Sequence, residues 1–442
     1  MIQCKKLNAK PAQSSSLLSV FIFFTASYLF SAPLALADTS PPGAPADVGI
    51  SAERLERVSA MAQAYVKESK VPGMITMVAR HGKLVHFEAV GQKGLDDPRP
   101  LAKDDLFRIY SMTKPVTAIA AMQLYEQGKF QLSDPISKWV PELVELSVMS
   151  EDGTLEPAAS PITMHQLLTH TAGFSYGFVP NDPVDALYRE SDILRSKNLD
   201  VFAKKLAKLP LKFHPGTGWN YSVAVDITGL IIERISGQTL DLYFEEHIFA
   251  PLGMRDTFFS VPDSKLGRFL PNHVFDAESK KAVVLGSESI TKYQNATLFS
   301  GGGGLVSSAE DYLRFAEMLR NGGEYEGIRI IGPKTLNYMT QNHVPDSVRN
   351  VGAGDRLEAL SGFYPGQTFG LGFGIVSDPA KAGVLGSKGE FYWGGAAGTV
   401  FWVDPVEDIV AIGMIQLMRS PWSFRPDFRV AVYQALETLA DD

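Results

Sequence analysis

The order of elements along this chain predicts an α/β protein of the α+β type. One antiparallel sheet is assembled from the two ends of the sequence, with a mainly helical part between them. Three observations carry that expectation. Near the N-terminal end, "GMITMVARHGKLVHFEAVG" (73–91) has two apolar, β-branched runs flanking His81-Gly82, the pattern of a β-hairpin. Near the C-terminal end, "FGLGFGIV" (369–376), "TVFWVD" (399–404) and "DIVAIGMIQL" (408–417) read as strands. Residues from about 130 to 345 read mainly as helices and loops, not as the alternating strand–helix order of a doubly wound sheet.

The elements follow in order. Lys5, Lys6 and Lys10 precede an apolar run from Leu17 to Leu36, and Ala35-Leu36-Ala37 fits a small-residue cleavage site. Residues 1–37 are therefore expected to be a signal peptide, leading to a periplasmic or secreted protein with no stable membrane span after cleavage. The Pro-rich stretch that follows makes 38–50 an expected linker. "SAERLERVSAMAQAYVKES" (51–69) and "PVTAIAAMQLYEQG" (115–128) have helical periodicity, the second with Pro in its first turn. "AVDITGLIIERISG" (224–237) predicts a helix ended by Gly237. "SSAEDYLRFAEMLRNGG" (307–323) predicts one opened by a Ser307–Glu310 capping box. "FRPDFRVAVYQALETLA" (424–440) predicts a closing helix. The catalytic unit is expected over 51–442, with 51–115 and about 365–442 forming the α/β part and about 116–364 the helical part.

Composition narrows the function. The chain has 442 residues with a formal net charge of −8, and loss of the three lysines of residues 1–37 would take it to −11. An acidic surface argues against nucleic acid as a partner. The single cysteine is Cys4, so a mature chain would have no disulfide, no thiol nucleophile and no thiolate metal site. The eight histidines show no metal spacing, and His165 and His170 are expected to be structural. "SGGGGL" (300–305) lacks the G-K-[ST] of a phosphate loop, leaving either a flexible loop or a close backbone approach. Neither a metal nor an organic cofactor is expected.

Two serines compete as nucleophile. "HTAGFSYG" (170–177) contains a G-x-S-x-G centred on Ser175. That motif works only as a strand–turn–helix elbow. Here Thr163 caps a short helix ending near Gly173, and "FVPNDPVD" after Ser175 is a loop, so the surroundings are wrong. "LFRIYSMTKPVTAIA" (106–120) offers Ser111-Met112-Thr113-Lys114 between an apolar strand-like run and a helix. Residues i and i+3 share a helical face, so the Lys114 amine can reach the Ser111 hydroxyl. A serine needs such a base to become nucleophilic, and the helix N-terminus offers N–H groups to an oxyanion. A second S-x-x-K, Ser289 to Lys292, lacks a following apolar helix.

"YSMTKPVTA" (110–118), with "LLTHTAGF" (167–174), "FHPGTGWNYSVAVDITGLIIERISG" (213–237) and "PLGMRDTFF" (251–259), resembles the serine β-lactamase-like superfamily. Within it the chain looks most like the family VIII carboxylesterases, relatives of class C β-lactamases and penicillin-binding proteins. The resemblance runs over about 50–435 and implies a β-lactamase-like fold. It also implies three motifs: Ser111 with Lys114; Tyr221, whose phenol shares proton transfer with Lys114; and Trp393-Gly394-Gly395, a strand edge. In the family that edge brings the backbone N–H of the next residue, here Ala396, to the oxyanion opposite the N–H of Ser111.

Two departures from the β-lactamase pattern shape the expected substrate. Trp393 stands where those enzymes carry a cation, and Val223 where they carry an Asn. Both changes remove polar recognition of β-lactams and D-Ala-D-Ala peptides and favour short-chain neutral esters. Phe174, Tyr176, Val223, Phe369, Phe391 and Tyr392 are the candidate pocket residues. The competing readings are a β-lactam hydrolase or D-Ala-D-Ala peptidase of the same superfamily, and a non-catalytic cell-wall binding protein.

Overall fold

The computed structural model describes residues 43–286, 292–345, 348 and 365–440. The signal-peptide reading of 1–37, the start of the expected linker, and Ser289 lie outside the described residues. A seven-stranded sheet dominates the α/β part. Its strands run in the order Gln367–Phe369, Gly374–Val376, Phe391–Gly394, Val400–Asp404, Ile409–Met414, Gly73–Arg80 and Lys83–Gly91, and every neighbour is antiparallel. The two chain ends meet between its fifth and sixth strands, where Ile75 faces Met414 and Arg80 faces Ile409. His81 and Gly82 both adopt positive φ, the turn that a two-residue hairpin needs.

Alternation along each strand divides the buried side chains between two layers. Met74, Val78, Trp402 and Ala411 face the helices Ala52–Lys67 and Phe424–Tyr433. Ile75, Met77, Phe401, Val403 and Ile412 face the larger core shared with helices Thr113–Glu126, Ala224–Ser236 and Ala309–Arg320. That shared core makes the helical part a second layer of one compact unit. Helix Ala309–Arg320 falls within the stretch expected to be separate and helical, yet it packs on the sheet, because its apolar stripe has Phe401 and Ile412 to cover.

Four further expectations are corrected. "FGLGFGIV" is two short paired strands, because Gly372 takes φ 91° and turns the chain between them. The cap of helix Ala309–Arg320 is Ser308, whose hydroxyl accepts from Asp311 N–H, one residue later than expected. The last helix stops at Tyr433. The expected linker is packed structure from Pro45, with Val48 and Ile50 buried and Ile50 bridging Leu436. Arg80 anchors this end. Its buried guanidinium donates to the carbonyls of Val48, Gly49, Glu407 and Thr438 and to the Glu407 carboxylate at 2.9 Å.

Asp311 lies in the first turn of its helix. It accepts from the N–H of Asp256 at 2.6 Å and the hydroxyl of Thr257 at 2.8 Å. Burial pushes its carboxyl up to about 7. The folded state therefore keeps a proton that the unfolded chain releases near pH 4, and this group's contribution to stability falls as pH rises from about 4 to 7. Asp311→Asn should gain on wild type in melting temperature between pH 5 and pH 8. The gain should be about 1 °C per kcal/mol of relieved penalty for a cooperative unit of this size, read by differential scanning fluorimetry.

Candidate active site

Ser111 sits in a 3-10 turn, Tyr110–Met112, that runs directly into helix Thr113–Glu126. The residue before it, Tyr110, is held at φ 44°, a left-handed conformation that a bulky side chain adopts only under constraint. Asn272 supplies part of that constraint by donating to the Tyr110 hydroxyl at 2.7 Å. One turn on, Lys114 is 1% exposed. Its Nζ lies 3.3 Å from Ser111 Oγ, 2.6 Å from the carbonyl of Gly302 and 3.0 Å from the hydroxyl of Tyr176.

Each contact comes from a different stretch of chain. The "SGGGGL" segment proves to be a close backbone approach. A Cβ on Gly302 would lie 2.4 Å from Asp226 Oδ2 and 2.6 Å from the Tyr176 hydroxyl, so only glycine lets its carbonyl reach Lys114. Asp226, buried in the first turn of helix Ala224–Ser236, accepts at Oδ1 from the Ser300 hydroxyl at 2.5 Å and from Gly302 N–H at 3.1 Å. Its Oδ2 accepts from the Tyr176 hydroxyl at 3.4 Å. Burial, the Asp226 charge and the neighbouring Tyr221 hold the Tyr176 phenol well above its ordinary pKa, so it stays protonated.

Tyr221 is also beside Lys114, but differently from the expectation. The amine lies over its ring, 4.5 Å from the centroid, and the described residues offer its buried hydroxyl no partner. The phenol hydrogen-bonded to Lys114 is that of Tyr176. Rings wall Tyr221 in: His170 at 4.9 Å, Tyr176 at 5.4 Å and Trp393 at 5.5 Å. Phe369 joins this wall, 5.2 Å from Trp393. Burial, with the Lys114 charge, pushes His170 well below its ordinary pKa, so its imidazole is neutral.

Trp393 and Gly394 end the Phe391–Gly394 strand, and Gly395 and Ala396 follow it. The Gly374–Val376 strand stops pairing at Tyr392, which leaves that edge open from Trp393 onward. Gly395 packs so closely that a Cβ would lie 2.5 Å from the carbonyl of Ile109, two residues before Ser111. Arg425 braces the far side, donating to the carbonyls of Gly395 at 2.7 Å and Thr399 at 3.1 Å.

The remaining candidates fall elsewhere. Phe174 and Val223 are wholly buried in the main core, and Phe391 packs there against Phe373 at 5.4 Å. Tyr392 alternates with Trp393, so it faces the other layer and donates to Gln367 Oε1 at 2.7 Å. Ser175 is buried; it donates to the Asp185 carboxylate and accepts from Gly177 N–H at 3.2 Å. His165 pairs with His343 at 3.2 Å. Among the described residues no cluster of metal-ligating side chains occurs, and no helix is long and apolar enough to cross a membrane. Sequence reasoning missed Asp226, Ser300 and Gly302, and it placed Tyr176 only in the pocket. An acidic residue in a strongly apolar helix, with four consecutive glycines elsewhere, was the available signal.

A profile of the family described as Beta-lactamase matches residues 58–436. The chain belongs to that family. Esterase EstB of Burkholderia gladioli is 32% identical over 387 residues, covering 83% of this chain and 91% of the relative. A lovastatin esterase of Penicillium rubens is 29% identical, covering 80% and 91%. The solved structure of EstCE1, described as a hydrolase with promiscuous acyltransferase activity, superposes with a TM-score of 0.72 at 27% identity. It covers 86% of this chain and 99% of that one. These likenesses bear out the β-lactamase-like fold and the resemblance to family VIII esterases, and with them the serine-hydrolase class.

Ser175→Ala would remove one donor from the buried Asp185 carboxylate, which keeps Val179 N–H and Lys212. It should cost about 1–3 kcal/mol of stability in denaturant titration. Turnover should stay within about threefold of wild type, because Tyr176 on the same loop keeps its own bonds to Lys114 and Asp226.

Proposed function

We propose that this protein hydrolyses short-chain, neutral carboxylic esters through an acyl-enzyme on Ser111. The observation that carries the reading is the 3.3 Å approach of the buried Lys114 amine to Ser111 Oγ. Ser111 attacks the ester carbonyl as its proton passes to the Lys114 lone pair. The oxyanion lies between the backbone N–H groups of Ser111 and Ala396. The proton reaches the departing alcohol through the Tyr221 hydroxyl, which the described residues leave unpartnered and whose ring the amine overlies at 4.5 Å. Water then cleaves the acyl-enzyme by the reverse route.

The aromatic wall of Tyr221, Trp393 and Phe369 supports an apolar acyl or alcohol group. The esterase relatives support an ester as the substrate. The basic start and apolar run of residues 1–37 support export before action.

The test is turnover of p-nitrophenyl acetate, butyrate and octanoate, with nitrocefin alongside. Ser111→Ala should lower kcat/KM on the esters by at least about 10³-fold, whereas Ser289→Ala should leave it unchanged. Ester turnover surviving in Ser111→Ala would overturn the reading. Nitrocefin turnover above that of every ester would move the protein to the β-lactam-hydrolysing class.

A further inference from the structure

The site holds two tyrosines against one lysine, and their hydrogen bonds differ in kind. The reasoning here rests on the proposal that Ser111 is the nucleophile and Lys114 its base. A neutral amine has two N–H donors and one lone pair. Only the lone pair can take the Ser111 proton, so catalysis depends on which way it points. The Gly302 carbonyl can only accept, so one N–H is committed at 2.6 Å. The Tyr176 hydroxyl, at 3.0 Å, can accept or donate, and its choice decides where the lone pair goes. Were it to donate to Lys114, it would occupy the lone pair that Ser111 needs.

Asp226 removes that ambiguity. An ionised carboxylate only accepts. Its Oδ1 is taken by Ser300 and Gly302 N–H, and its Oδ2 faces Tyr176. The Tyr176 O–H therefore points at Asp226, its oxygen accepts the second N–H of Lys114, and the lone pair is left facing Ser111 Oγ.

We propose that Asp226 and Tyr176 form an orienting relay that aims the Lys114 lone pair at Ser111. They are positioning residues, distinct from Tyr221 at the leaving group. In the step they serve, the Ser111 O–H bond breaks, its proton joins the Lys114 nitrogen, and its electron pair forms the bond to the acyl carbon. The resulting ammonium keeps its donors on Gly302 and Tyr176. Lys292 also lies within electrostatic reach of Asp226.

The relay makes an epistatic prediction. In Asp226→Asn the amide oxygen must take the Oδ1 place to satisfy Ser300 and Gly302 N–H. The amide NH₂ then donates to Tyr176, whose O–H turns onto the Lys114 lone pair, the same reversal of polarity that an Asp→Asn change imposes on a catalytic histidine. Asp226→Asn should lower kcat/KM on p-nitrophenyl butyrate by about 100-fold or more. Tyr176→Phe should lower it about 10-fold, because Gly302 still holds one N–H. Asp226→Asn/Tyr176→Phe should return to the Tyr176→Phe level, with melting temperatures recorded for all three. A double variant that loses the product of the two single losses, or a fully active Asp226→Asn, overturns the relay.

A second arm decides the matter should Asp226→Asn fail to fold. Nitrophenolate leaves without a proton, whereas the ethoxide of ethyl butyrate requires one. Tyr176→Phe should lower kcat/KM on p-nitrophenyl butyrate and ethyl butyrate by the same factor. Tyr221→Phe should penalise ethyl butyrate at least about 10-fold more than the aryl ester. A selective loss on ethyl butyrate in Tyr176→Phe, or no loss at all, overturns the assignment. Activity surviving in Ser111→Ala would instead sink the underlying reaction.

Discussion

A lysine amine buried to 1% exposure is the constraint around which this molecule is arranged. Such a group costs several kcal/mol unless acceptors meet it. None of the acceptors is adjacent in sequence beyond Ser111. Gly302 reaches in from the glycine segment, and Tyr176 from the loop after helix Met164–Leu168. Asp226 then ties the last two together from a third element. The helical layer is therefore more than packing for the sheet, since three of its segments must be in register before the amine is satisfied.

The sheet contributes the other half of the site through its edge. Its two faces are given over to apolar cores, and alternation sends Tyr392 to one layer and Trp393 to the other. What remains for chemistry is the open main chain beyond Tyr392. It is kept close to Ser111 by the contact of Gly395 with Ile109 and braced from behind by Arg425. The Tyr110–Met112 turn and helix Thr113–Glu126 carry Ser111 and Lys114, the proposed nucleophile and base, and the aromatic rings of Tyr221, Trp393 and Phe369 lie beside them.

Much of this was legible in the sequence because it is written in local periodicity. The apolar, β-branched runs at 73–91 and 399–417 read as strands, and the Thr163 cap marks its helix. The S-x-x-K was legible because its geometry is one helical turn. The relay was not, because Tyr176 meets Lys114 only through a loop whose path is set by Gly173 and Gly177 at positive φ and by the Ser175–Asp185 bond. The G-x-S-x-G was misleading for the same reason: its serine fixes the loop, and the useful hydroxyl belongs to the tyrosine beside it. Asp226 stayed hidden as one acidic residue near a helix start, a place where solvated acids are common. The aromatic candidates Phe174, Phe391 and Tyr392 could not be sorted from Phe369 and Trp393 by type, because burial in a core and burial around a site have the same composition.

The meeting of the two chain ends within one sheet has a consequence for how the molecule comes into being. Their ladder pairs Ile75 with Met414, and Arg80 binds carbonyls from Val48 to Thr438. Loops of that length must close before these contacts can form. Until the last strand emerges from the ribosome, the Gly73–Arg80 strand has only its hairpin partner, and an isolated hairpin is marginal in water. The architecture therefore delays completion of its own sheet to the end of synthesis and leaves the nascent chain open for as long as possible.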